Sequence, residues 1–200
     1  MGFIVSNDNS SLFSVPPTIS VNGTLSYTPA ANASGSAVVT VRLQDNGGVS
    51  NGGADTSVPQ TFTITVTPVN DAPIKTVPAP QTTRRNRDIV FSPASGNQIS
   101  IADIDAGSAV VRVTLTATNG TLTLFSTTGL TFLAGDGNRD ATMTFEGSIA
   151  AINLAMTGMV FRPRPGYIGP AGLSITTSDL GQFPSPPLSD TDSLMITVVP

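Results

Sequence analysis

The stretch Gln60-Thr-Phe-Thr-Ile-Thr-Val-Thr67 decides the fold, because three apolar side chains alternate in it with threonine. Strict alternation has the period of a strand with one buried face, and β-branched residues favour that conformation. The same pattern predicts strands over 38–43, 111–116, 121–125, 130–133, 142–145, 173–177 and 194–199. Turn signals such as Asn119-Gly120 separate these strands and are typical of hairpins. We therefore expect an all-β chain.

One segment, 148–156, departs from the strand pattern. Ile149, Ile152 and Met156 have helical spacing, and Ser148 is placed to cap the first turn, so we expect one short helix here. The remaining strands and turns predict β-sandwich architecture. Its core is expected to contain the phenylalanines that occupy alternating strand positions, which are Phe62, Phe91, Phe125, Phe132, Phe145 and Phe161.

The composition excludes several kinds of site. The 200 residues include no Cys, His or Trp, which removes disulfides, thiolate metal sites, the Ser-His-Asp triad and the usual zinc ligands. A net charge of −4 argues against nucleic acid or an anionic membrane as a partner, and no apolar run approaches the length of a membrane span. Nearly all acidic residues are aspartate, which is frequent in turns and in oxygen-rich ion sites.

An internal repeat divides the chain into two units, which we expect over 1–70 and 71–200. A shift of 134 residues superposes five pairs of residues without a gap: Pro29 and Pro163, Gly35 and Gly169, Ala37 and Ala171, Asp45 and Asp179, and Gly47 and Gly181. Far fewer residues precede the matched segment in the first unit than in the second. We interpret the first unit as the C-terminal part of a repeat, truncated at its N-terminus; a shorter type of repeat is the alternative.

Six segments, in this order, carry a family resemblance. They are Asn22-Gly-Thr-Leu-Ser-Tyr-Thr-Pro29, Val41-Arg-Leu-Gln-Asp-Asn-Gly-Gly48, Phe62-Thr-Ile-Thr-Val-Thr-Pro-Val-Asn-Asp-Ala-Pro73, Ile101-Ala-Asp-Ile-Asp-Ala-Gly107, Asn119-Gly-Thr-Leu-Thr-Leu124 and Asp190-Thr-Asp192. The chain resembles the bacterial cadherin-like tandem repeats of large extracellular adhesins and surface proteins, over nearly its whole length. The resemblance implies an immunoglobulin-like Greek-key β-sandwich for each unit.

The resemblance also implies calcium (Ca²⁺), held by three pieces of chain. These are the linker residues Asn70 and Asp71, the Asp-x-Asp pair Asp103 and Asp105, and Asp179 after a late strand. Calcium takes six to eight oxygen ligands, several of them anionic, and tolerates irregular geometry. Side chains two apart in an extended segment point to the same side, as this pair requires. Aspartates that only stabilise turns are the alternative interpretation.

Other charged groups are weaker candidates. Asp45 occupies the place of the late-strand aspartate in the first unit, and Asp190 and Asp192 are either ion ligands or exposed at a strand start. The segment 136–140 imitates the start of an EF-hand loop without its closing glutamate, which favours a hairpin turn. The basic cluster 84–87 is not interleaved with aromatics, and we expect a solvated loop.

These observations favour a non-catalytic, calcium-binding repeat of a large bacterial adhesin or surface protein. It would act as a calcium-stiffened spacer outside the cell, with a role in cell adhesion. The expected partners are neighbouring repeats of the same chain, and cell-surface protein or glycan ligands reached through other domains; nucleic acid and direct membrane insertion are not expected. The alternative is an accessory or carbohydrate-binding module of a secreted polysaccharide-degrading enzyme, although two Tyr and no Trp give few rings for sugars.

Overall fold

Threonine- and valine-rich strands form most of the chain in the computed structural model, which describes residues 1–181 and 186–200. The predicted all-β sandwich class is confirmed. Two compact units are present, Met1–Val69 and Asn70–Pro200. No helix in the described ranges has the length and apolar character that crossing a membrane requires.

Unit 1 has five strands in two small sheets. The strands are β1 Gly2–Asn7, β2 Phe13–Ile19, β3 Leu25–Pro29, β4 Gly35–Gln44 and β5 Gln60–Val66, with short 3₁₀ helices at Ser10–Leu12 and Ser50–Gly52. One sheet has the order β1-β4-β5, and β2 pairs with β3. The first two strands were not expected from the sequence, because serine and asparagine interrupt β1 and two prolines interrupt β2. The buried core consists of Leu12, Phe13, Ala37, Val39 and Ile64.

Unit 2 contains the other strands and the α-helix. The elements are β6 Ile74–Thr76, β7 Gln81–Arg84, β8 Ile89–Phe91, β9 Ser100–Ala102, β10 Val110–Thr118, β11 Gly120–Thr123, β12 Leu130–Ala134, β13 Asn138–Asp140, β14 Thr142–Ser148, α1 Ile149–Met156, β15 Met159–Pro163, β16 Gly169–Ser178 and β17 Ser189–Val199, with a 3₁₀ helix at Pro93–Ser95. One sheet has the order β12-β14-β10-β16-β17-β7 and the other β13-β11-β15-β8, while β6 pairs with β9. The chain crosses repeatedly between the two large sheets, whose inner faces form one core.

The inner faces follow the alternation read from the sequence. Phe91, Phe145 and Phe161 are fully buried, as expected. Phe125 is the exception: it lies just beyond β11, is 66% exposed, and contacts the backbone at Gly158 from outside the core. The expectation that it is a core residue is wrong because Leu122 and Leu124 occupy the inward positions, so the alternation directs Phe125 outward.

The predicted helix is confirmed as α1. The Ser148 hydroxyl accepts a hydrogen bond from the Ala151 N–H, which is the expected N-cap. Ile152 and Met156 are fully buried, and Ala155 between them also faces the core. The helix therefore closes one end of the sandwich next to β14.

The repeat is visible in the backbone itself. Strands β3 and β4 correspond to β15 and β16 residue for residue at the shift of 134, and Gly35 and Gly169 both have strongly positive φ values, 126° and 130°. Strand β1 pairs with β4 in the register in which β10 pairs with β16. The five strands of unit 1 therefore correspond to β10, β11, β15, β16 and β17.

Two strand edges differ between the units. In unit 2, β7 pairs in parallel with β17, and β8 pairs with β15. In the described part of unit 1, β5 pairs only with β4, and β3 pairs only with β2. An open edge leaves backbone N–H and C=O groups to the solvent, so these strands are held on one side only.

We predict faster amide hydrogen exchange in β5 than in β17, and in β3 than in β15. The reason is that the missing neighbours lower the free energy of local opening. Native-state exchange followed by mass spectrometry measures this directly. Strands β4 and β16 are paired on both sides and serve as the internal control, with a smaller difference. Equal protection of β5 and β17 would contradict the prediction.

Candidate functional site

The predicted ligand residues come together at one end of unit 2. Asn70 and Asp71 open the unit, Asp103 and Asp105 lie in the turn between β9 and β10, and Asp179 directly follows β16. The last residue of β16 pairs with the third residue of β10, so the end of β16 lies beside the start of β10. Sheet register therefore places side chains from three distant parts of the chain in one region.

Asp103 shapes the turn with one oxygen and leaves the other without a donor. Its Oδ1 accepts hydrogen bonds from the N–H groups of Asp105 and Ala106, both at 2.9 Å. Its Oδ2 is buried and has no hydrogen-bond partner among the described residues. Oδ1 therefore stabilises the turn, while Oδ2 is an acceptor with no donor among the described residues.

Asp105 connects this turn to the start of the unit. Its Oδ2 accepts a hydrogen bond of 2.6 Å from the N–H of Asp71. Strand β6, which follows Asp71, pairs with β9, which precedes Asp103. The start of the unit and the β9–β10 segment are therefore joined by a strand pair as well as by this hydrogen bond. The Asp71 residue itself is exposed, so its carboxylate faces solvent or a ligand.

Asp179 is almost completely buried, at 1% exposure. Its Oδ1 accepts from the N–H groups of Gly181 and Leu188, both at 2.9 Å, and its Oδ2 accepts from Asn70 Nδ2 at 2.6 Å. Burial alone raises the pKa of this carboxyl, but the hydrogen bonds from Gly181, Asn70 and Leu188 together lower the pKa below its ordinary value. The group is therefore held as a carboxylate.

Asn70 supplies the second acceptor without a donor. The residue is 7% exposed, its amide nitrogen donates to Asp179, and its Oδ1 is buried with no partner in the described structure. Buried polar atoms are nearly always hydrogen-bonded, so each exception needs an explanation. Asn70 Oδ1 and Asp103 Oδ2 are both oxygens with free lone pairs in the same small region.

The oxygen donors are of the type that a hard cation binds. The acidic side chains, however, do not converge on one point. All the available atoms are oxygens, from carboxylates and one amide, which is the set that calcium prefers. Across residues 1–181 and 186–200, however, no three acidic side chains lie close enough to form a metal-binding group by themselves. The backbone and hydrogen bonds hold the five residues together, and a bound ion would have to draw the carboxylates closer.

The other candidate groups have separate roles. Asp45 lies in unit 1 and accepts from the Gly47 N–H at 2.7 Å, the same turn contact that its repeat counterpart makes with Gly181. The EF-hand-like segment is a turn in which Asp140 accepts from the N–H groups of Asp136 and Gly137. The segment is a turn as expected, but the expectation of a hairpin is wrong, because β12 and β13 on either side of it belong to different sheets.

Asp190 and Asp192 contact a lysine that the sequence analysis did not single out. The Lys75 side chain is fully buried, and its Nζ lies 2.6 Å from Asp190 Oδ2 and 3.5 Å from Asp192 Oδ2. The hydrogen bond from Lys75 lowers the pKa of Asp190, in spite of an opposing effect of burial. The chain's single lysine, flanked by Ile74 and Thr76 in a strand-like segment, was the signal available in the sequence.

The comparisons with known proteins show only distant likenesses. No family model and no curated protein matches the chain. Among solved structures, AggA, the major subunit of aggregative adherence fimbriae type I from Escherichia coli, matches with a TM-score of 0.38 and 14% identity, over 66% of this chain and 98% of that one. The endo-fucoidan hydrolases MfFcnA4 and MfFcnA9 of glycoside hydrolase family 107 match with TM-scores of 0.28 and 0.24 and identities of 15% and 16%.

The matches with MfFcnA4 and MfFcnA9 cover 100% and 99% of this chain, but only 24% and 28% of the hydrolases. This chain therefore spans about a quarter of the length of these two proteins. At these TM-scores the likenesses support no statement about a shared family or function. The β-sandwich class therefore depends on the strand pairing and the core described above.

We predict that Asp179→Asn destabilises unit 2 by about 1–3 kcal/mol at pH 7, because it replaces a buried acceptor oxygen by a donor. The wild-type carboxylate has a lowered folded pKa, so its contribution is complete above the ordinary aspartate pKa of about 3.9 and is lost as the pH falls through the folded value. The stability difference should therefore shrink below pH 4. Calorimetric unfolding in chelator, from pH 7 to pH 3, measures it.

Asp136→Asn is the matched control, because Asp136 also accepts from the N–H two residues later, here that of Asn138, but is exposed. This variant should change stability by a few tenths of a kcal/mol at most, as most exposed substitutions do. An Asp179→Asn effect that is equally small, or that persists unchanged at pH 3, would contradict the prediction.

Proposed function

We propose that this chain is a non-catalytic, calcium-binding repeat module of a large bacterial extracellular adhesin or surface protein, of the cadherin-like type. In this proposal it acts as a spacer whose connecting segment becomes rigid when calcium binds. Cell adhesion would be a property of the whole protein, through its other domains. The resemblance of the repeat segments supports the family, and the site at the start of unit 2 supports the ion.

One observation carries the proposal: two buried oxygens without donors, Asn70 Oδ1 and Asp103 Oδ2, lie in a single linked group with Asp71, Asp105 and Asp179. Desolvating an acceptor without giving it a hydrogen bond costs about 1–3 kcal/mol. A cation that coordinates these oxygens removes that cost and offsets the repulsion between neighbouring carboxylates. Removal of this desolvation cost and of the repulsion between carboxylates therefore favours cation binding at these oxygens.

The protein's own residues would transmit the effect to the connecting segment. Asn70 is hydrogen-bonded to Asp179 at the end of β16, and the Asp71 N–H is hydrogen-bonded to Asp105 in the β9–β10 turn. Both contacts already hold the entering chain against unit 2. Calcium would supply positive charge to these same carboxylates and so strengthen the attachment of residues 70–71.

The surroundings of the one glutamate support the non-catalytic part of the proposal. The Glu146 carboxylate lies 2.6 Å from the Arg112 guanidinium on the neighbouring strand β10. Both hydrogen bonds from the Arg112 guanidinium go to Glu146 Oε1, so this carboxylate is engaged in a cross-strand ion pair between β10 and β14. With no histidine or cysteine in the chain, carboxylates and the lysine would have to perform any acid–base chemistry.

We predict that calcium raises the melting temperature of unit 2. At a free concentration of about 100 times the Kd, the stabilisation is about 2.7 kcal/mol. Asp103→Asn should remove most of this gain, because the amide keeps the Oδ1 acceptor of the turn and replaces only the oxygen that has no donor. Differential scanning calorimetry in millimolar calcium and in chelator measures both effects.

Asp136→Asn makes the same chemical change in another aspartate turn and should keep the full calcium shift. Magnesium at equal concentration should stabilise less, since it demands near-ideal octahedral geometry. Limited proteolysis gives an independent measurement: cleavage within 67–73 should slow in calcium for the wild type and for Asp136→Asn. Identical wild-type melting curves with and without calcium would refute the ion site.

A further inference from the structure

The end of unit 2 opposite the candidate calcium site is rich in arginine. Strand β10 begins beside the aspartates and ends at Thr118, and at that far end three turns lie side by side. The Gly166 N–H donates to Asn86 Oδ1 at 2.8 Å, and the Arg164 N–H donates to the Asn119 carbonyl at 2.9 Å. These turns and the adjoining sheet hold six of the eight arginines of the chain: Arg84, Arg85, Arg87, Arg139, Arg162 and Arg164.

Three of these arginines line an open groove of about 510 Å³ together with Asn119, Thr121 and Pro163; the three are Arg139, Arg162 and Arg164. A second depression of about 230 Å³ shares Arg139 and Arg162 and continues past Thr123 to Val160. In the sheet, Thr121 pairs with Arg162 and Thr123 pairs with Val160. The two depressions therefore form one track over the outer face of the four-stranded sheet, which we call the arginine groove.

The arginine groove carries more positive than negative charge, because three arginines and one carboxylate, that of Asp88, line it. Arg162 pairs with Asp88 at 2.7 Å, and this is the one ion pair that the described residues form with any of the six arginines. The nearby carboxylates of Asp136 and Asp140 accept hydrogen bonds from backbone N–H groups of their own turn. A chain with a net charge of −4 thus carries a concentrated cationic track at one end.

Arg139 is held in a backbone conformation that arginine rarely adopts. Its φ is 60°, in the left-handed region, and it follows a register shift where β13 meets Leu122 and Thr123 of β11. Its N–H donates to Thr123 Oγ1 at 3.0 Å. Glycine or asparagine would occupy this position with less strain, and such irregularities often re-aim a side chain at a functional site. Here the side chain lines the groove.

We propose that the arginine groove binds an acidic polysaccharide, through the sulfate or carboxylate groups on successive sugar units. Guanidinium groups form paired hydrogen bonds to such oxyanions, and an open track accepts a polymer that lies across it. The exposed Pro165 and the half-buried Val160 offer apolar surface to the C–H faces of a sugar ring. The site is independent of the proposed calcium site at the other end of the unit.

The lining of the groove favours a saccharide over a nucleic acid. Proteins that bind single strands stack the bases on aromatic rings, and among residues 1–181 and 186–200 no aromatic side chain lines either depression. Threonine and asparagine alternate instead with the arginines along the track, and they suit hydroxyl-rich ligands.

The test measures binding of the whole 200-residue chain to immobilised dextran sulfate, polygalacturonate and neutral dextran. We expect binding to the acidic polymers that weakens as salt rises, and none to neutral dextran. Arg139→Gly should weaken binding at least tenfold, the loss expected for one charge-assisted contact. Its melting temperature should be unchanged or higher, since glycine adopts φ of 60° freely. The stronger of the two acidic polymers identifies the preferred anionic group.

Arg42→Gln is the charge control, because Arg42 is exposed in unit 1 and does not line the groove, so this variant should change affinity less than twofold. Equal losses in Arg42→Gln and Arg139→Gly would mean general charge attraction and would overturn the proposal, as would no binding to either acidic polymer. Tighter binding to a single-stranded oligonucleotide than to dextran sulfate at the same salt would assign the groove to nucleic acid. Self-association lost in Arg139→Gly, without polysaccharide binding, would assign it to a second copy of the chain.

Discussion

Strand β16 is paired along its whole length with β17 and from Gly172 to Ser178 with β10, and its register determines where the functional groups of unit 2 lie. Ala171, Leu173 and Ile175 face the core in alternation, and the same periodicity directs Thr177 and then Asp179 inward. A slip of one residue would send all of these side chains to the other face. The apolar residues of β16 thus fix the position of the Asp179 carboxylate, whose burial would be unfavourable without them.

The length of the paired strands separates the two kinds of charge in unit 2. Because β10 and β16 run antiparallel and span the sandwich, the turns at their ends lie far apart. The aspartates around Asn70 lie at one end, and the arginines of the groove lie at the other. The buried Lys75 belongs to the acidic end, where it offsets Asp190 and Asp192. It leaves the group around Asp103 without a cation of its own.

The sequence predicted the strands best where apolar and β-branched residues alternate without interruption, as in β5 and β16. It also predicted the helix, because Ser148 and three apolar residues have both a cap and a helical period. The sequence did not predict β2, because two adjacent prolines obscure the strand pattern there and the strand is nearly irregular. Phe125 was wrongly placed in the core because two adjacent apolar residues, Leu124 and Phe125, leave the inward face ambiguous, and the structure buries Leu124.

The candidate sites show the same limit. The linked positions of Asn70, Asp103 and Asp179 were predicted by resemblance, but which oxygens lack a donor depends on hydrogen-bond geometry that no pattern encodes. The arginine groove was not foreseen, because its three arginines, Arg139, Arg162 and Arg164, do not form one local cluster in the sequence. Arg139 and Arg164 reach the groove through pairing between β11, β13 and β15, over long sequence separations.

The parallel pairing of β7 with β17 has a mechanical consequence. Strand β7 lies near the entry of the chain into unit 2 and β17 near its exit, and the pairs run from Gln81 with Ile196 to Arg84 with Val199. Tension along the polypeptide would pull these two strands in opposite directions along their common axis. The hydrogen bonds between them would then bear the load together in shear instead of opening one after another. Extraction of either strand would have to break this joint before the core of the sandwich is exposed.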